Sequence, residues 1–448
     1  MADTHRSTHP NRSRSITARE ILDSRGLPTL EVEIVLEGGR VAQASVPSGA
    51  SRGSREAVEL RDGGARLGGK GVQTAVRAVE KYVAPLFGRI DIADQMAIDD
   101  ALKELDGTHD KAELGGNTLL AVSMAFARAS ALAHRKPLYR AFGDPHATLL
   151  PMPMFNAIDG GMHARSLLDL QDFMIVPVGA ARFRDAVAMG AETYLALRDV
   201  LLAHGHCTAV GDEGGFAPQL LDPRQALELL LRAVERAGFV PGRDVAIALD
   251  AAASTFQEQG QYVLRHTGRR YSSEELVSLY EDWTRQFPIV SLEDGLAEDD
   301  EVGWRELTAR LGDRVQLVGD DVFATHPELV RSGVRRGIGN AVVIKPNQVG
   351  TVSEAIEAMG VARAGRYATI VSQRSGETND DFIADFAVGT SAGQIKGGAP
   401  CRGERVAKYN RLLRIEQELG DEARFAGRRA LERGRGARSD GSDQARSA

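Results

Sequence analysis

Residues 289–320 read IVSLEDGLAEDDEVGWRELTARLGDRVQLVGD. An apolar run of strand length ends at Glu293, a helix-patterned segment follows, and a second apolar run ends at Asp320. The unit repeats on both sides: VAIALD at 245–250 ends at Asp250, and AVVIK at 341–345 ends at Lys345. Strands and helices alternating in this rhythm build a parallel sheet, and in a parallel barrel all strands end on one face. The four terminal side chains are therefore expected to converge. A single acid at a strand end is as often a helix cap or an ion-pair partner. Three on successive strands crowd like charges, which is stable only with a cation among them. Carboxylates without cysteine or histidine suit a hard divalent ion such as Mg²⁺. Asp321, the next residue in VGDD, is read as an outer support. Lys345 beside the ion is a base once its amine is neutral, and the ion together with a second cation, Lys396 in GQIKGG, is expected to depress its pKa.

The pattern extends outward. LLPMPMFNA, FMIVPV, the stretch before Glu213, YATIVS and GQIK are further strand candidates, with amphipathic runs such as PRQALELLLRAVERAG between them. About eight units between 147 and 427 favour a closed, TIM-like (β/α)8 barrel over an open sheet. Upstream, EVEIVLEGGRVAQASVP at 31–47 reads as a hairpin around Gly38-Gly39, and helical patterns run from Val72 to Arg140. Residues 15–146 thus form a small α+β domain ahead of the barrel. The polar, aperiodic ends, 1–14 and 428–448, are read as disordered tails.

Composition narrows the class of function. Lys+Arg 55 against Asp+Glu 62 gives a net charge of −7, so no global basic field invites nucleic acid. Two cysteines, Cys207 and Cys401, make no disulfide framework and fit a reducing cytoplasm. No transmembrane-length apolar run or signal-peptide core is present, which argues against a membrane partner.

Other motifs are weak alone. GDEGGF at 211–216 places Glu213 between glycines as a plausible acid opposite Lys345. SQRSGET at 372–378 offers Arg374 and Ser375, a guanidinium and a hydroxyl suited to phosphate or carboxylate. His163 in DGGMHARS is by itself an ordinary loop histidine. SGASRGS at 48–54 has the donor-rich composition of a lid over an anion, without the Gly-Lys-Ser/Thr of a Walker loop.

Taken together, DSRGLPT, VPSGAS, GSREAVELRDG, LGGKGV, QDFMI, GDEGGFAP, SLEDG, VGDD, IKPNQVGT, RSGET, FIADFAVGT, GQIKGGAP and AKYNRLLRIEQELG resemble the enolase (phosphopyruvate hydratase) family from about Ile16 to Gly427. The resemblance implies an N-terminal α+β capping domain, a modified C-terminal barrel and a homodimer or higher homo-oligomer in the cytoplasm. It implies a carbon–oxygen lyase (hydro-lyase) that dehydrates 2-phosphoglycerate, a small phosphorylated carboxylate, to phosphoenolpyruvate with two Mg²⁺. By position, Asp250, Glu293 and Asp320 match ligands of one ion and Ser51 the loop ligand of the other. Lys345 matches the base at C2, Lys396 the partner of the substrate carboxylate, and Glu213 and Asp172 the groups assisting departure of the C3 hydroxyl. His163, Gln373, Arg374, Ser375 and, in the lid, Arg52 match the surroundings of the phosphate end.

The departures cluster. Asp172 stands where the family has glutamate, one methylene longer, and Gln373 where it has histidine, which unlike glutamine can carry charge. Arg52 replaces the threonine of GASTG, Leu27 and Asp159 replace asparagines, and Thr255 replaces an acid. The metal-and-base half is intact, while the leaving-group half and the lid have changed. Three functions are compatible with this pattern: an enolase; a paralogue acting on a related phospho- or phosphono-carboxylate, in the manner of a carboxyphosphonoenolpyruvate synthase; and a binding protein of little activity. The first is favoured, because an intact base and metal set serves no purpose in a mere binder.

Overall fold

The computed structural model describes residues 13–50, 53–86, 94–164, 166–265 and 268–432. Strands β1 (Ser13–Leu22), β2 (Pro28–Leu36) and β3 (Val41–Ser45) form an antiparallel meander. On β2 the alternate residues Leu30, Val32, Ile34 and Leu36 are all fully buried, the period-two signature of a sheet with one wet face. The buried face lies on helix α2 (Gly116–Ala133), which follows α1 (Gln95–Asp106). β1 begins inside the tail expected for residues 1–14.

Eight strands close the barrel: β4 (Met152–Asp159), β5 (Asp172–Val176), β6 (Ala246–Asp250), β7 (Ile289–Glu293), β8 (Gln316–Gly319), β9 (Ala341–Ile344), β10 (Ala368–Ser372) and β11 (Gln394–Lys396). The closed α/β barrel agrees with the expectation from sequence, but the all-parallel sheet does not. β5 is antiparallel to both β4 and β6. The reason is connectivity. The chain leaves β4 at the mouth and re-enters β5 there without a crossover helix, so β5 can only run back down. Helix Phe183–Ala203 then returns the chain to the mouth and helix Pro223–Arg236 takes it down again before β6. Between those helices lies Glu213, and the strand expected before it is absent: Val210 makes only an isolated bridge to Phe216.

The tail expected from 428 also needs correction. Residues Gly427–Leu431 form a 3₁₀ turn, with Ala430 and Leu431 buried against Met152, Val176, Ala246 and Ile370 of the barrel interior. Gln394 Nε2 donates to Ala430 O at 3.3 Å, and Arg428 Nη2 to Gly242 O at 2.7 Å. The turn stoppers the barrel at the end away from the carboxylates. No described helix is long and apolar enough to cross a membrane.

Leu431→Ala should therefore lower the unfolding free energy by about 2–5 kcal/mol, the usual range for truncating a buried leucine. Urea denaturation measures it, and an unchanged midpoint would mean the turn is not part of the folded unit.

Candidate active site

Strand register assembles the mouth. Asp159 is opposite Asp172, Asp172 opposite Asp250, and Asp250 opposite Glu293, so four adjacent strands place acids at one level. Reversal of β5 is what brings Asp172, its first residue, to this end. Asp320 lies two residues beyond Val318, the partner of Glu293. Across the mouth, Lys396 is opposite Ser372, and Lys345 follows Ile344, the partner of Val371. One arc of the rim is acidic and the facing arc basic.

The two arcs meet. Lys396 Nζ lies 2.7 and 2.8 Å from the Glu293 oxygens and 3.3 Å from Asp250 Oδ2. Lys345 Nζ bonds Asp320 Oδ2, while Gln348 Nε2 donates to Asp320 Oδ1 at 2.9 Å. Burial, with Asp250 adjacent, pushes Glu293 well above the usual carboxylate range. Burial opposes ionisation of Asp320 too, but Lys345, with Arg374 and Lys396, outweighs it and holds that carboxyl low. The depressed pKa expected for Lys345 is not found. Burial is the largest influence and disfavours its charge, but Asp320 and Glu293 together outweigh it and raise the pKa, with Arg374 and Lys396 as lesser opposing charges.

The residues fit a hard cation by donor chemistry: every ligand candidate here offers oxygen. Asp294, Asp320 and Asp321 have oxygens within 4.8 Å of one another. That closest grouping differs from the expected Asp250–Glu293–Asp320 set, because Lys396 is wedged between the first two. Both Asp294 oxygens accept from the backbone N–H groups of Asp320 and Asp321, each at 2.9 Å. Asp294 thus acts as a brace for the loop after β8, and burial beside Asp321 and Asp320 raises its pKa well above normal. Asp321 itself is pushed up to about 7, by burial and by Asp320. Ser51 and Arg52 lie outside the described residues.

A second cluster forms the opposite wall. His163 Nδ1 is 2.8 Å from Asp172 Oδ1, and Nε2 is 3.4 Å from Glu213 Oε1. Burial works against a charged imidazole, but Asp172, Glu213 and Asp159 outweigh it and push His163 up to about 10. Glu213 is lowered: burial opposes ionisation, but His163, Arg405, Lys396 and Lys345 prevail. Asp172 moves up through burial, and its Oδ2 is buried without a hydrogen-bond partner.

The Glu213 loop rests on Asp159, one of the departures from the family pattern. Its carboxylate accepts from Glu213 N at 3.2 Å, Gly215 N at 3.1 Å and Asn156 Nδ2 at 3.1 Å. The contact is so close that a Cβ on Gly215 would fall 2.2 Å from Asp159 Oδ1, which is why glycine is required there. Burial and Asp172 push Asp159 up to about 8.

Arg374 and Ser375 are engaged with the N-terminal domain. Arg374 Nη1 is 2.8 Å from Glu56 Oε2 and its Nη2 3.2 Å from Oε1, while Ser375 Oγ accepts from Ala50 N at 2.6 Å. They pin the ends of the segment carrying Ser51. Glu56, Asn156 and Arg405 were not singled out from the sequence. Asn156 and Arg405 are polar residues without telling spacing, Glu56 lies unremarked within the motif GSREAVELRDG, and only the packing reveals their partners. Thr255 lines the pocket, its hydroxyl bonded to Ala252 O at 2.8 Å, and nothing in the structure explains Leu27.

His163 binds a proton more tightly folded than unfolded. Its contribution to stability is therefore complete below pH 6.5 and lost as pH rises through about 10. The His163 ring signal in NMR should stay in its protonated position between about pH 6 and 9. A midpoint near the ordinary histidine value would show that the three carboxylates do not charge it.

Residues 14–142 match the family model described as enolase, N-terminal domain, and residues 147–433 that described as enolase, C-terminal TIM barrel domain. The curated enolase of Acidothermus cellulolyticus (strain ATCC 43068 / DSM 8971 / 11B) is 55% identical over 419 residues, covering 94% of this chain and 97% of the relative. Both domains of one family are thus matched, in order, on a chain whose acidic and basic rim they explain: this protein belongs to the enolase family.

Proposed function

We infer that this chain is a hydro-lyase dehydrating 2-phosphoglycerate to phosphoenolpyruvate. The observation that carries the reading is the division of the mouth into two walls, Lys345 and Lys396 on one and Glu213, His163 and Asp172 on the other. Taking a proton from carbon beside a carboxylate leaves a multiply charged enediolate, which needs concentrated positive charge. Asp250, Glu293 and Asp320, with Ser51 in the lid, would hold Mg²⁺, two ions per site by family resemblance, and the metal supplies that positive charge. Lys345 would take the C2 proton once its contact with Asp320 is relieved. Lys396 would then pair with the substrate carboxylate.

On the far wall Glu213 would assist the departing C3 hydroxyl, with His163 held in place by Asp172. Arg374 and Ser375 would face the phosphate, Gln373 would supply an amide where the family uses histidine, and Arg52 would add a cation in the lid. The departures at Asp172, Gln373 and Arg52 favour one second reading, a paralogue acting on a related phospho- or phosphono-carboxylate. Family resemblance also carries the expectation of a cytoplasmic homodimer, which light scattering of the purified protein checks for the oligomer.

With Mg²⁺ and 2-phosphoglycerate, the purified protein should form phosphoenolpyruvate, followed by its absorbance. Lys345→Ala should cut kcat by about 10²–10⁴-fold, the span for loss of a positioned base. Binding of Mg²⁺ without turnover would replace the enolase reading with the paralogue. Asp172→Glu lengthens the carboxylate that holds His163 and should raise kcat, by up to about 10²-fold. No rise would remove Asp172 from leaving-group chemistry.

A further inference from the structure

Behind the leaving-group wall, one side chain is held between a pure donor and a pure acceptor. Arg405 Nη1 lies 2.5 Å from Gln373 Oε1, and Gln373 Nε2 lies 2.7 Å from Glu213 Oε2. A guanidinium can only donate and a carboxylate can only accept. The two ends of an amide are otherwise hard to tell apart, but only one orientation satisfies both neighbours. Its carbonyl must face the arginine and its NH₂ the glutamate.

Arg405 has little freedom to do otherwise. It is fully buried. Nη1 also donates to Arg374 O at 2.8 Å, and Nη2 to Ser375 O at 2.6 Å and Asp212 O at 2.9 Å. Those carbonyls belong to the two loops that carry Glu213 and the phosphate-end residues. The consequence falls on Glu213. Its Oε2 accepts from Gln373 at 2.7 Å and from Asn156 at 3.1 Å, whereas Oε1 faces His163 at 3.4 Å. One oxygen is tied back and the other is turned towards the site.

We propose that Arg405 is a positioning residue for the dehydration: by fixing the amide of Gln373 it makes that residue a donor to Glu213 Oε2 and leaves Oε1 as the oxygen that exchanges the proton. The assignment of proton exchange rests on the reading of Glu213 given above, whereas the wiring itself does not. Other groups act on Glu213 as well: His163, Asp159 and Asp172 on the site side, and Lys396 and Lys345 across the mouth. A change at Arg405 must therefore be read against these as a fixed background.

The test is a double-mutant cycle of Arg405→Lys and Gln373→Met, read by the ¹³Cδ NMR titration of Glu213 and by the pH profile of kcat. The Glu213 signal is assigned by its loss in Glu213→Gln. Arg405→Lys alone should raise the Glu213 midpoint by about one unit and lower kcat by about tenfold, with KM little changed, the scale of one hydrogen bond to a charged group. In the Gln373→Met background the same substitution should have almost no further effect, because no amide remains to orient. Equal effects in both backgrounds, or no movement of the midpoint, would overturn the proposal.

Gln373→Glu covers the case in which Arg405→Lys does not fold. Glutamate still accepts from Arg405 but cannot donate to Glu213. Activity below that of Gln373→Met is expected, and activity above it would reduce Gln373 to a partner for Arg405. A wild-type chain inactive on 2-phosphoglycerate would overturn the function reading and the proton-exchange assignment. The NMR cycle would still decide the wiring.

Discussion

Everything at the mouth of this barrel answers to one constraint, the cost of holding many carboxylates together away from water. Register alone puts Asp159, Asp172, Asp250 and Glu293 side by side, with Asp320 close beyond. Burial and mutual repulsion raise Asp159, Asp172 and Glu293, whereas nearby cations, Lys345 first, hold Asp320 low. Lys396 serves Glu293 and Asp250, Lys345 serves Asp320, and His163 serves Asp172 and Glu213. These pairings hold the acidic and basic arcs of the mouth together.

The N-terminal domain is part of that arrangement. Glu56 closes on Arg374, Arg128 pairs with Asp380 at 2.6 Å, and Lys111 with Glu354 at 2.7 Å. Buried ion pairs across a domain boundary contribute little net stability, since desolvation offsets attraction, but they define how the two surfaces meet. Here they fix Ala50 and Glu56 of the N-terminal domain against Ser375 and Arg374 of the barrel. The same economy governs the Glu213 loop. It has no strand of its own, and takes its position from Asp159 beneath, Tyr194 Oη on Gly214 O at 2.7 Å, and the Arg402 and Arg405 guanidiniums on Gly211 and Asp212 carbonyls at 2.9 Å each.

Much of this was legible in the residues. Apolar runs with charged last residues announced a barrel and the convergence of Asp250, Glu293, Asp320 and Lys345, because strand direction is enough to decide which end a terminal side chain reaches. The family motifs then marked Lys396, Glu213, His163, Arg374 and Ser375. What escaped depended on geometry without period. The reversal of β5 follows from a return at the mouth, and nothing in FMIVPV records direction. The raised pKa of Lys345 depends on a contact with Asp320, where the residue pattern pointed to an ion and to Lys396 as its neighbours. The turn at 427–431 looked like polar tail because only two of its side chains, Ala430 and Leu431, reach the core.

By itself, then, the sequence determined the fold class, the family and the charged residues that end the barrel strands at the mouth. Those depend on periodicity and on residue type at strand ends, which are local properties. The tertiary structure alone decided which oxygen pairs with which nitrogen: Asp294 committed to backbone, Lys396 between two acids, Gln373 oriented by Arg405. Such pairings join residues far apart in the chain, and their energies turn on differences of an ångström that no local pattern encodes.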